Sequence, residues 1–116
     1  MTLKDRILNC SDLKEAEVTV EQWSTPDDPC VVLVRGMTAR GRSSFLQAVK
    51  AKTDDEAAVE AIIDCAMDPK TRERIFEPAH REELLGKSAK AIETLFGKIA
   101  ELSGVGPGAQ QALEKN

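Results

Sequence analysis

Residues 74–88 read RIFEPAHREELLGKS, a stretch that places Phe76 among charged residues and just ahead of a proline. Proline is well suited to the first turn of a helix, and the acidic residues around it suit the positive end of a helix dipole. Gly86 is a natural helix terminator. The stretch therefore predicts a short helix that begins at Pro78 and ends at Gly86.

The next segment carries an apolar stripe at helical spacing. Ser88 is a favourable N-cap residue, and the following glycine that can end the helix is Gly104. The apolar positions between them are Ile92, Leu95, Phe96, Ile99 and Leu102. Such a stripe either packs wholly inside the protein or leaves part of its face for a partner helix, and the sequence leaves both open.

Two more helices are predicted before the opening stretch. One starts near Thr38 and carries Phe45 and Val49 on one face. Another begins at Thr53, which has the capping-box spacing to Glu56, and it ends before a proline at position 69. Its apolar stripe is Val59, Ile62, Ile63, Ala66 and Met67.

The N-terminal half contains two strand patterns. EAEVTVEQW, residues 15–23, alternates apolar and polar side chains, which is typical of a half-buried strand that ends in Trp23. CVVLVRGM, residues 30–37, is β-branched and nearly continuous in apolar character. The loop STPDDP between them contains two prolines, so an antiparallel hairpin is the expected arrangement.

These elements predict an α+β fold in which an N-terminal β-hairpin packs with about four short amphipathic α-helices, so that the chain is mostly helical. A hairpin alone is marginal in water and must lie on the helices or on a partner. We expect an N-terminal arm or short helix at residues 1–14, one domain at 15–104 and a flexible C-terminal tail at 105–116.

The composition excludes several classes of protein. The chain has 116 residues, which suits one domain, and 16 basic against 20 acidic residues give a net charge of −4. An acidic chain is a poor general binder of nucleic acid. No apolar run reaches the length of a membrane-spanning helix, and the N-terminus shows no signal-peptide pattern. We therefore expect a soluble protein that stays inside the cell that makes it.

No catalytic or metal-binding pattern is present. Cys10, Cys30, Cys65 and the single histidine, His80, are far apart in sequence and lie on different elements, so reduced thiols are expected. The glycines of residues 35–44 lack the Gly-Lys-Ser/Thr of a phosphate-binding loop. We expect no enzymatic activity, no metal and no cofactor.

Three arginines lie close together where the second strand meets a helix. Arg35, Arg40 and Arg42 could contact phosphate or an acidic surface, or they could form a solvated turn paired with nearby carboxylates. The second interpretation is favoured, since no aromatic residue adjoins them to stack on a base.

The segment DCAMDPKTRERIFEPAHREELLGKSAKAIETLFGKIAELSG, residues 64–104, resembles the C-terminal half of the phage tail assembly chaperones. These small proteins are encoded just upstream of the tape measure protein in long-tailed phages and prophages. The strand ending in Trp23, the strand VVLVRGM and the helix opening with Thr-x-Arg are similar to the family's start. The resemblance covers about residues 15–104, with two departures: His80 stands where an acid is expected, and the turn DPKTRER is unusually basic.

The resemblance implies binding without catalysis. Such chaperones hold the long, helical, aggregation-prone tape measure protein until tail tube subunits polymerise around it, and they are absent from the finished particle. It therefore implies the tape measure protein as partner, with the major tail tube protein and a second copy of the chain as further candidates. A membrane is not implied and nucleic acid is not expected, and the location would be the host cell cytoplasm.

The resemblance also suggests which residues matter. It implies that the last helix and the hairpin edge form contact surfaces. Together with the arginine cluster, this gives the candidate partner-binding residues Arg35, Arg40, Arg42, Ile92, Leu95, Ile99 and Leu102. Phe76 would be a buried anchor that pins the turn between helices to the core. The structural anchors expected together are Trp23, Phe45, Phe76, Leu84 and Phe96.

Two alternatives and one further hypothesis stay open. The chain could be a structural or connector component that remains in the phage particle, or a small regulator that contacts nucleic acid through its arginines. Such genes often make a longer form by a −1 frameshift. Glu114-Lys115-Asn116 permits the slippery codon run GAA AAA AAC, which is a hypothesis from codon possibility alone.

Overall fold

The computed structural model describes residues 2–105. A three-stranded antiparallel sheet has the order β1-β2-β3, where β1 is Glu15–Thr19, β2 is Val31–Arg35 and β3 is Ala66–Met67. In the hairpin, Val18 pairs with Val32, so the predicted antiparallel arrangement is confirmed. The predicted tail beyond position 105, including the candidate frameshift codons, lies outside the described residues.

The first strand is shorter than predicted. It ends at Thr19, and Glu21–Trp23 form a 3₁₀ turn, so the expectation of a strand running to Trp23 was wrong. The Ser24 hydroxyl donates a hydrogen bond to the Val20 carbonyl at 2.8 Å and accepts one from the Cys30 amide at 2.7 Å. These two bonds provide partners for main-chain groups of Val20 and Cys30 at the end of the strand pairing, and they hold the hairpin loop closed.

The third strand was not predicted. Ala66 and Met67 were expected to continue a helix, but they pair with Val34 and Leu33 of β2. A short apolar segment cannot be assigned to helix or strand by its pattern alone. Here the open edge of β2 offers main-chain hydrogen bonds, and this edge decides the conformation.

Within residues 2–105, five α-helices complete the fold, and a 3₁₀ turn at Pro78–His80 leads into the fourth. They are α1 (Leu3–Asn9), α2 (Ala39–Ala51), α3 (Asp54–Cys65), α4 (Arg81–Leu85) and α5 (Ala89–Leu102). The Ser88 hydroxyl caps α5 as predicted, by accepting a bond from the Ala91 amide. The Thr53 hydroxyl instead donates to Glu56 at 2.9 Å, so the predicted capping box does not form.

The core lies where α3 and α5 pack against each other, the sheet and α2. Val20, Val34, Ile62, Leu95 and Ile99 are all completely buried. The fold class predicted from the sequence, a mostly helical α+β domain with an N-terminal hairpin, is confirmed.

The C-terminal end of α5 is closed by a Schellman motif. Gly104 has a φ of 77°, which favours glycine, and the Val105 amide donates to the Ala100 carbonyl at 2.8 Å. Val105 itself is 2% exposed. Val105, the residue at which the tail was expected to begin, therefore packs against the rest of the domain.

Candidate partner-binding surfaces

A groove of about 620 Å³ runs between α2 and α3. Its buried lining is apolar and includes Phe45, Ala48 and Ala61. Its charged lining consists of Arg35, Arg40, Lys52, Glu60, Asp64 and Arg74. This α2–α3 groove therefore combines an apolar floor with charges of both signs.

Asp64 organises one end of the α2–α3 groove. Its carboxylate accepts hydrogen bonds from Arg35 at 3.2 Å and from Arg74 at 2.9 Å. The Arg35 guanidinium also donates to the main-chain oxygens of Asp64 and Gly36, each at 2.9 Å, and the side chain is 15% exposed. Arg35 thus connects the end of β2 to the end of α3. For this arginine, the favoured interpretation of pairing with a nearby carboxylate agrees with its ion pair to Asp64.

Arg40 and Arg42 lie in a different environment. Both are exposed in the first turns of α2, a helix whose first turn holds no acidic residue. Within residues 2–105, neither side chain pairs with a carboxylate. A positive charge near a helix N-terminus is unfavourable, by about 0.3–1 kcal/mol. These arginines therefore do not help α2 to form, and both side chains are exposed.

The far end of the groove holds a second ionic cluster. Glu60 accepts a hydrogen bond from Arg81 and lies 3.4 Å from the Lys52 ammonium. Burial opposes ionisation of Glu60, but the bond from Arg81 and the charges of Arg81 and Lys52 outweigh it and hold the pKa of Glu60 below its ordinary value. This cluster joins α3 to α4 and to the end of α2.

The thiol of Cys65 is buried. Burial raises the pKa of Cys65 to about 12, with a further contribution from the neighbouring charge of Asp64. A thiol with so high a pKa is not a nucleophile at neutral pH. All three cysteines are unpaired, with Cys10 exposed and Cys30 half-buried.

The predicted contact residues of α5 lie mostly in the core. Leu95 and Ile99 are fully buried, Ile92 is 8% exposed, and Leu102 is half-buried. In this conformation a partner cannot reach Leu95 or Ile99, so these side chains pack the domain. The sequence pattern could not separate this outcome from partner binding, because both need the same apolar stripe.

The expected anchors pack as two groups. Phe45 and Leu84 are buried in the core, whereas Trp23, Phe76 and Phe96 pack against it while remaining half-buried. Phe76 is thus less buried than expected, and its ring and the His80 ring are arranged edge to face with 6.4 Å between their centroids. His80 accepts a hydrogen bond at Nδ1 from the Glu77 amide at 2.9 Å, a role that an acidic side chain could also fill.

A second groove, mostly apolar, was not predicted. It lies between α3, α4 and α5, has a volume of about 390 Å³ and is lined by Val59, Leu85, Ile92 and Phe96 among others. Four charged side chains also line it: Asp54, Asp55, Lys87 and Glu93. The adjacent apolar residues Leu95 and Phe96 could have indicated such a groove in the sequence. Two neighbouring helix positions cannot both face the centre of the core, so one of them must lie at its edge. We call this surface the apolar groove.

The edge of the hairpin is polar. β1 is an outer strand of the sheet, and its exposed side chains include Glu15 and Glu17. Arg72 lies in the turn at residues 68–74 and has a φ of 62°. Its side chain forms an ion pair with Glu15 of β1. Charged side chains on an edge strand disfavour pairing with another strand.

Residues 2–105 contain no group of three side chains that could hold a metal ion. None of the helices within this range has both the length and the apolar character needed to span a bilayer.

No protein-family model and no curated protein matches this chain. Among solved structures, the chain is similar to the tail assembly chaperone of bacteriophage HK97, with a TM-score of 0.65 and 18% sequence identity. The match covers 86% of this chain and 91% of that one. At this level of identity, the likeness shows a shared fold.

Proposed function

We propose that this chain is a non-catalytic tail assembly chaperone of a phage or prophage, which binds the tape measure protein and keeps it soluble while the tail tube assembles. The observation that carries the proposal is the extent of the shared fold, which spans 86% of this chain and 91% of the HK97 chaperone. The sequence resemblance over residues 15–104 points to the same family.

The α2–α3 groove is the surface that we assign to the tape measure protein. Its apolar lining at Phe45 and Ala48 suits the apolar face of an amphipathic helix, and the exposed charge of Arg40 suits an acidic residue beside that face. Exposed charge pairs contribute little each, about 0–1 kcal/mol. Such contacts are weak enough to be released when tube subunits replace the chaperone.

The first experiment is co-expression with the product of the next long downstream reading frame, with the native gene junction intact, followed by gel filtration of the soluble fraction. We expect the downstream protein to be insoluble alone and to co-elute with this chain. If it stays insoluble in the presence of this chain, the chaperone function is refuted. Detection of this chain in purified virions would favour a structural component instead, because the proposed chaperone acts in the host cytoplasm and is absent from the mature particle.

Charge reversal then tests the assigned surface. Arg40→Glu is expected to reduce the co-eluting downstream protein severalfold without changing the circular dichroism spectrum, since Arg40 is an exposed charge in the groove lining. Lys50→Glu is the matched control, since Lys50 is also exposed on α2 but does not line the groove. Equal loss in both variants would refute the assignment of this groove while leaving the chaperone function standing.

A further inference from the structure

The basic turn at residues 68–74 contributes one side chain to the α2–α3 groove. Arg74, at the end of the turn, lines the groove, whereas Arg72 pairs with Glu15 and is not part of the lining. The turn is closed by a main-chain hydrogen bond that the Arg72 amide donates to the Asp68 carbonyl at 2.7 Å. The Arg74 side chain is therefore not part of this closure.

The Arg74 side chain is held by a single exposed contact. Within residues 2–105, its guanidinium makes one hydrogen bond, to Asp64 Oδ1 at 2.9 Å, and the side chain is 59% exposed. Arg35 contacts the same oxygen, but it also donates to two main-chain oxygens and is only 15% exposed. An ion pair as exposed as that of Arg74 contributes little to stability. Arg74 can therefore leave Asp64, and the carboxylate keeps Arg35 as its partner.

This end of the groove carries an excess of positive charge. Its lining has three arginines and one carboxylate, which leave a net charge of +2. These residues are Arg35, Arg40, Arg74 and Asp64. Arg40 pairs with no carboxylate in the described part of the chain. An acidic side chain of a bound helix is therefore favoured here over a neutral or basic one.

We propose that Arg74 is a specificity-determining residue of the α2–α3 groove, which leaves Asp64 and, with Arg40, pairs with an acidic side chain of the bound helix. The exchange replaces one ion pair by another, whereas a helix without the acidic side chain leaves Arg74 on Asp64. This exchange rests on the proposed function for the identity of the bound helix. It adds the acidic side chain that the helix must carry beside its apolar face.

Two substitutions that break the same ion pair test the exchange in the full-length chain. The chain is co-expressed with the downstream protein, and gel filtration of the purified complex over a range of concentrations gives its apparent Kd. Arg74→Gln should raise the Kd about twofold to fivefold, the effect of one exposed ion pair. Asp64→Asn should lower the Kd by a similar factor, because Arg74 is then free, while the asparagine oxygen can still accept a bond from Arg35. A merely structural role of the pair would move the Kd in the same direction in both variants.

The second ion pair of the turn provides the matched controls. Arg72→Gln and Glu15→Gln change the net charge as the test variants do, but neither residue lines the groove, so the Kd should stay unchanged. Arg74→Gln without a loss of affinity, Asp64→Asn without a gain, or the same opposite shifts in the control variants overturns the exchange alone. A wild-type chain that does not co-elute with the downstream protein refutes the proposed function, and the exchange with it.

Arg74→Lys replaces Asp64→Asn if circular dichroism shows that the latter does not fold. Lysine keeps the positive charge, so the Kd should remain close to that of wild type. A loss of affinity as large as that of Arg74→Gln would overturn the exchange.

Discussion

Replacing Gly36 with alanine tests the contact between the end of β2 and the C-terminus of α5. A Cβ atom at this position would lie 2.9 Å from the main-chain oxygen of Leu102 and 3.3 Å from its carbonyl carbon. Both are backbone atoms, so they cannot move aside as a flexible side chain would. The strand and the helix end must separate, and this movement also stretches the 2.8 Å bond that the Met37 amide donates to the Ser103 hydroxyl.

The expected cost combines two effects. Forcing extra atoms into a packed contact destabilises a protein by about 1–3 kcal/mol, and weakening one hydrogen bond adds about 1 kcal/mol. We therefore expect Gly36→Ala to lower the free energy of unfolding by about 2–4 kcal/mol, which for a domain of this size corresponds to a fall in Tm of about 10–15 °C.

Urea unfolding followed by the fluorescence of Trp23, the single tryptophan, measures this difference. Gly97→Ala is the matched control, because Gly97 is exposed within α5 and a Cβ there meets no atom within 4 Å. It should raise the free energy of unfolding by about 0.5–1 kcal/mol, through the greater helix propensity of alanine. A Gly36→Ala protein as stable as wild type would show that the described approach of strand and helix is wrong.

Three further predictions concern the core and its ionic clusters. Leu95→Ala should lower the free energy of unfolding by about 2–5 kcal/mol in urea titrations, since Leu95 is fully buried; a change in partner binding with unaltered stability would contradict this. Glu60→Gln should cost about 0.5 kcal/mol at pH 7. Because folding lowers the pKa of Glu60 from its ordinary 4.5, this difference should persist above pH 4.5 and vanish as the pH falls through the folded-state value, as unfolding at pH 7, 4.5 and 3 would show. Ellman's reagent should label Cys10 within the native protein but Cys65 only on unfolding, so equal labelling rates would refute the burial of Cys65.

Local signals predicted most of the fold. The alternation around Val18 gave the first strand, and the spacing of Ile92, Leu95 and Ile99 gave α5, because both patterns record which side of an element is buried. The same patterns could not predict β3, since Ala66 and Met67 acquire their conformation from the neighbouring edge of β2.

The sequence predicted the candidate surfaces only in part. Arginines at positions 35, 40 and 42 looked alike in sequence, but Arg35 is committed to Asp64, which lies 29 positions away, whereas Arg40 and Arg42 remain exposed. The position of the apolar groove likewise could not be predicted before the helices were placed.

By itself, then, the sequence determined the hairpin, the amphipathic helices and the polar character of the chain, because these depend on residues that are neighbours along one strand or one helix turn. The tertiary structure alone decided which apolar residues fill the core and which arginine is paired, and it placed the two grooves. These outcomes depend on contacts between residues distant in the chain, and no local pattern records how two helices pack side by side.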